Sequence, residues 1–132
     1  MRLVIGLLIG FLLGAFAGVS AFNALRAATA LPRGVMQTTA YHFGELREAA
    51  KADDCLEKAK PHLEALAVLA HDVMPAFGAV MAEDEVFSGY AGKWIDVATT
   101  ARDNPGTDCK ALQTAIAPMR DACQSCHRDY KS

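Results

Sequence analysis

Residues 109–130 read CKALQTAIAPMRDACQSCHRDY, and the positions of their apolar and sulfur-bearing side chains decide the fold. Cys109, Leu112, Ile116, Met119, Cys123, Cys126 and Tyr130 recur at spacings of 3-4-3-4-3-4. That period lines one face of an α-helix. Pro118 falls inside the stripe, so a mild kink is expected there. The same period occurs three times upstream. Met36, Thr39, Phe43, Leu46 and Ala50 mark a helix over about 33–52. Leu56, Ala59, Leu63, Leu66, Ala70, Val73 and Phe77 mark a second, and Phe87, Tyr90, Trp94, Val97 and Ala101 a third. Pro61 either sits near the start of the second helix or kinks it, and Pro75 is expected to bend or end it, with Gly78 loosening it further. The breaks carry turn and cap residues: Asp53-Asp54, an acidic loop over 81–85, and Asn104-Pro105-Gly106, after which Thr107 or Asp108 caps the last helix. Strand-like alternation of useful length is absent. The pattern predicts an all-α fold, an antiparallel up-down-up-down four-helix bundle with short loops.

The N-terminal 30 residues are a different kind of sequence. Arg2 is followed by twenty uncharged residues, Leu3 to Phe22. As a helix that is about 30 Å, the thickness of a bilayer core. A retained transmembrane anchor is favoured by this length and by Gly6, Gly10, Gly14 and Gly18, a small-residue stripe of the kind that lets membrane helices approach. The alternative is a cleaved signal helix, with Val19-Ser20-Ala21 or Ala28-Thr29-Ala30 as the processing site. Residues 24–32, ending at Pro32, read as a short linker or the trailing end of the anchor helix. The expected division is therefore 1–30 as anchor or signal plus linker, and 31–132 as an exported helical domain. That domain carries all 15 acids and 11 of the 13 bases, a net charge of −4, and nothing suggests a nucleic-acid partner.

Within the last helix, Cys123-Gln124-Ser125-Cys126-His127 reads C-x-x-C-H. Two thiols three positions apart on a helical turn suit addition to the two vinyl groups of one haem, and the following imidazole is placed to reach the iron. C-x-x-C is also half of a zinc site, but no second Cys/His pair stands at ligand spacing. It is also a thioredoxin-type dithiol, but that motif belongs to a strand–helix context. One covalent haem c, with His127 as an iron ligand, is the expectation. A haem-free helical domain with a redox dithiol remains as a third reading.

Haem attachment would use two of the four cysteines and leave Cys55 and Cys109. In the predicted topology both stand at the end of the bundle away from the haem, since 36–55 and 109–127 are runs of about 27–29 Å. A disulfide there is expected, against the alternative of two free buried thiols. Met36 falls at the opposite end, with His127.

Three stretches together resemble the cytochrome c-prime family, including its methionine-ligated low-spin members. They are Gly34-Val35-Met36-Gln37, Trp94, and Cys123-Gln124-Ser125-Cys126-His127-Arg128-Asp129-Tyr130-Lys131 close to the C-terminus. The resemblance covers residues from Leu31 onward. It implies that His127 is the proximal ligand, that Lys131 lies near it, and that Met36 either binds iron or packs over an open distal face. The family usually has an arginine four residues before this methionine, near a haem propionate. Here Pro32 occupies that position, and Arg33 follows it.

With Met36 on the iron, His/Met coordination would suit one-electron transfer. With Met36 only packed, the distal face, lined by Thr39 and Phe43, would suit NO or CO. His42, His62 and His71 read as surface or boundary residues, and Trp94 and Tyr130 as core or haem packing. Asp53-Asp54 and Glu83-Asp84-Glu85 read as caps and solvated loop rather than catalytic carboxylates. The expectation is an electron carrier rather than an enzyme: a monohaem cytochrome tethered on the periplasmic side of the bacterial inner membrane, or soluble there after cleavage. Its expected partners are redox proteins of the periplasm or membrane. A homodimer, through the first two bundle helices or the glycine stripe, is also in prospect.

Overall fold

The four stripes all become helix in the computed structural model, which describes residues 2–130. The described elements are α1 (Arg2–Ala49), α2 (Cys55–Ala82), α3 (Glu85–Asp103) and α4 (Cys109–Tyr130). No strand occurs among the described residues. Each stripe turns inward. Leu46, Leu66, Leu112, Met119 and Cys55 are the largest side chains shut off completely from solvent, and Phe87, Trp94, Val73 and Ile116 extend the same core. Val35, Ala49 and Ala122 join it from positions next to the stripes.

Consecutive helices pack on one another, α1 on α2, α2 on α3 and α3 on α4, with a smaller contact between α2 and α4. α1 and α4 are not among the closely packed pairs. At one end α4 is tied to the turn that follows α1 and to the start of α2. Gln113 Nε2 donates to the Ala50 carbonyl at 2.9 Å, and a disulfide joins Cys55 at the start of α2 to Cys109 at the start of α4, Cα atoms 5.7 Å apart. Further along, a gap opens between α1 and α4.

Three boundaries differ from the sequence reading. First, α1 does not begin after Pro32 but runs through it without a break and stops at Ala49. Proline removes one donor and crowds one carbonyl, and a half-exposed position lets solvent satisfy that carbonyl. Second, α2 begins at Cys55, passes through both Pro61 and Pro75, and breaks instead at Gly78 (φ 78°, ψ −177°). Those angles are open essentially to glycine alone, whereas Pro75 merely lacks a donor. Third, the loop expected over 81–85 shrinks to Glu83 and Asp84, because Asp84 caps α3. Its carboxylate accepts from the N–H groups of Val86 and Phe87 at 2.9 and 3.0 Å.

Asp108, not Thr107, caps α4, accepting from the Ala111 N–H at 2.8 Å. Gly106 makes the preceding turn at φ 92°, and a Cβ on it would come within 2.5 Å of the Ala111 Cβ. Only glycine fits there.

The first part of α1 packs on no other helix among the described residues. Ile5, Leu8, Phe11, Phe16, Phe22 and Leu25 are all exposed. By length and composition this helix could cross a membrane, and the same features suit a signal segment.

Candidate functional site

The gap between α1 and α4 is a cavity of about 240 Å³ with an apolar wall. On α1 the lining positions are Met36, Thr39, Ala40, Phe43, Gly44 and Arg47, one continuous i, i+3, i+4 face. α4 supplies Ala122, Cys123, Cys126 and His127 from the opposite wall. Phe87, Tyr90, Ala91 and Trp94 of α3, with Val73 of α2, form the floor. A second groove of about 260 Å³ shares Phe43 and Arg47 and continues between α1 and α4 toward Gln113 and Ile116.

The fold thus brings Met36, Cys123, Cys126 and His127 into one cavity although 87 positions separate Met36 from Cys123. Met36 is half-buried, and His127 is exposed on its outer side. Thr39 and Phe43 line the cavity as the spacing implied, and Trp94 closes its floor. Arg33 does not join them; it is exposed and lies off the cavity wall. The basic residue at the cavity is Arg47, one turn beyond Phe43 on the same face. Arg47 is not on the predicted stripe, whose next member after Phe43 is Leu46, so the stripe alone does not single it out. Lys131 lies outside the described residues.

Thr39 is 7% exposed, and its Oγ1 has no hydrogen-bond partner. Such a buried hydroxyl is costly unless something enters the cavity to meet it. Cys123 and Cys126 are free thiols. Burial pushes the Cys123 thiol up to about 11 and raises that of Cys126, to which the Asp129 charge adds. Thiol–disulfide exchange needs a lowered pKa and access, so this environment disfavours a redox dithiol.

Behind the lining residues Phe87 and Tyr90 stands a cluster of aromatic rings and two carboxylates. Phe87 packs against Phe77 and Tyr130, ring centroids 5.1 and 5.4 Å away, and Tyr90 meets Tyr130 edge-on. Tyr130 donates its hydroxyl to Asp84 Oδ2 at 2.7 Å, and Tyr90 donates to Asp129 Oδ2 at 2.5 Å. These bonds tie α4 to α3 beside the C-x-x-C-H turn. A scan of protein-family models and searches of curated proteins and solved structures found no match for this chain.

The Phe87 N–H, followed by the Tyr130 hydroxyl, holds the Asp84 carboxyl below the usual carboxylate range. A depressed carboxyl contributes stability that is complete above its unfolded pKa and is lost as pH falls through the folded value. Asp84→Asn should therefore flatten the acid limb of the unfolding profile as pH falls below the ordinary aspartate range. Circular dichroism across an acid titration of both proteins checks this. The same acid limb in both would remove Asp84 from the account.

Proposed function

We propose that this chain is a membrane-tethered monohaem c-type cytochrome of the cytochrome c-prime kind, built as an antiparallel up-down-up-down four-helix bundle, which carries single electrons. One observation carries the reading: the C-x-x-C-H turn and Met36 line the same apolar cavity. The cavity itself adds support. At about 24 cal/mol per Å³, an apolar void of 240 Å³ would cost up to about 6 kcal/mol, as much as a small domain has to spare. Its open mouth makes that a ceiling, but the gap between α1 and α4 still asks for an occupant.

The donor set fits haem c. The neutral thiols of Cys123 and Cys126 would each add S–H across a vinyl group, forming two thioethers with no net redox change. His127, one residue on, would hold the iron from the α4 side, and Met36 from the α1 side. Bound there, haem supplies a one-electron Fe(III)/Fe(II) couple. Phe43, Phe87 and Trp94 would exclude water, and Arg47 is placed for a propionate, the role first expected of Arg33. The disulfide suits an oxidising compartment such as the periplasm. Because α1 is unbroken, Met36 lies about 21 Å along the helix from Phe22, so the Met36 end of the cavity would be the end nearer the membrane. The partners would be redox proteins at that surface, and not nucleic acid. Homodimers could form through the bundle face of α1 and α2 or the glycine stripe.

A gas-binding reading has one observation in its favour: the unpartnered Thr39 hydroxyl would be a donor to NO or CO on an open distal face. The optical spectrum of the holo-protein, oxidised and reduced, with and without CO, separates the two. The expected result is a low-spin spectrum with the methionine-to-ferric-haem band near about 695 nm and no response to CO. Met36→Ala should then abolish the band and make the ferrous protein bind CO. A wild-type protein that is high-spin and shifts with CO would replace electron transfer by gas binding.

A further inference from the structure

Outside the cavity, the α1–α2 seam holds a histidine pair. His42 on α1 and His62 on α2 are both half-buried, with Nδ1 facing Nδ1 at 3.1 Å. Their rings lie 5.3 Å apart at 52°, and the Tyr41 ring packs edge-on against His42 at 5.1 Å, which limits how far that imidazole can turn. The cavity-lining face of α1 runs through Met36, Ala40, Phe43 and Arg47, whereas His42 belongs to the face that carries Val35, Leu46 and Ala49 toward α2. The pair and the cavity are separate sites.

Two neutral imidazoles in this position can share a single proton: one Nδ1–H donates and the other Nδ1 accepts. The same spacing fits a metal. Two nitrogens bound at about 2.0–2.1 Å, with an angle between about 90° and 109°, lie about 2.8–3.4 Å apart. The observed 3.1 Å falls inside that bite. We infer that His42 and His62 form a two-histidine site for a late first-row divalent cation, Cu(II) above all, the metal taking both Nδ1 positions while the shared proton moves to Nε2 of the ring that carried it. Among the described residues no third His, Cys, Asp or Glu joins them. Water therefore completes the coordination, and with so few protein ligands the affinity order among divalent ions should follow their intrinsic order, which peaks at Cu(II).

The test uses the haem-loaded ferric protein titrated with Cu(II) or Zn(II) salts, followed by calorimetry and by electron paramagnetic resonance. One Cu(II) per chain should bind at micromolar concentrations, with a tetragonal signal split by two nitrogens, and more tightly than Zn(II). His42→Gln and His62→Gln should each weaken binding at least tenfold and leave one nitrogen or none. His71→Gln, on an exposed position of α2, should change nothing. The haem spectrum and helical content of each variant report on folding. Absence of stoichiometric binding, or Cu(II) binding that survives both substitutions, would overturn the site and leave the pair as an interhelical hydrogen bond.

Discussion

Cys123→Ser combined with Cys126→Ser should yield a chain with no covalent haem when expressed alongside a haem-attachment system. The polypeptide mass should equal that of the bare sequence, and acidified solvent should extract any haem that remains. Serine keeps the size and the helix but cannot form a thioether, so the change isolates the sulfur chemistry. A second loss should accompany the first. Phe43, Phe87 and Trp94 would be left around an open gap between α1 and α4, and the group that binds only the native state would be gone. The haem-free variant should unfold several kcal/mol more easily than the loaded protein, with α4 still tied to α2 by the disulfide and to α3 through Tyr130. Wild-type protein that carries no covalent haem under the same conditions would sink the proposed function outright.

Removing the disulfide should do the reverse, changing stability while sparing the site. Cys55 and Cys109 close a loop with a sequence separation of 54. Loop-closure entropy for that length corresponds to about 4 kcal/mol, within the range of about 2–5 kcal/mol usual for native disulfides. For a domain of this size the melting temperature should fall by roughly 15–30 °C in the Cys55→Ser/Cys109→Ser protein. Cys55 is almost fully buried beside Leu46 and Leu112 in the core cluster, so part of the loss would be packing. The clip joins α2 to α4 near Ala50, about 21 Å along α1 from Met36. The haem spectrum of the surviving folded protein should therefore match wild type. Denaturant unfolding, with the disulfide intact, reduced or deleted, measures the effect. A loss under about 1 kcal/mol would mean that the short loops, and the Gln113–Ala50 hydrogen bond, already hold that end together.

The helical period was legible because burial follows it: the 3-4 stripes contain Leu46, Leu63, Leu66, Leu112 and Met119, all of them core. The pairing of Cys55 with Cys109 followed from counting rise per residue along predicted helices. Helix ends were harder. Pro32 and Pro75 carry the sequence signal of a break, yet each costs only one backbone bond in an otherwise regular helix. The real interruption in α2 comes at Gly78, where nothing but backbone angle distinguishes it from the glycines of α1. At the site, residues on the haem-motif helix and the Met36 face could be read from spacing. Arg47 lines the cavity from a position beside the apolar stripe, where a charged residue carries no signal of pointing inward, and the resemblance directs attention to Arg33 instead. The His42–His62 contact had no sequence signal, since spacing along a helix says nothing about which residues meet across a seam.

Under the proposed membrane tether, the unbroken course of α1 through Pro32 would have a kinetic consequence. A bundle hung on a floppy linker would sweep a hemisphere and meet partners at any height. A bundle rooted in the lipid by a rigid rod would slide, spin and tilt, and little else. Its search for a partner would become lateral diffusion in a plane. Encounters would then be restricted to proteins whose docking face stands at the same elevation, and the helix length between Phe22 and Met36 would set that elevation. Inserting a flexible segment at Pro32 would widen the choice of partners and dilute each of them.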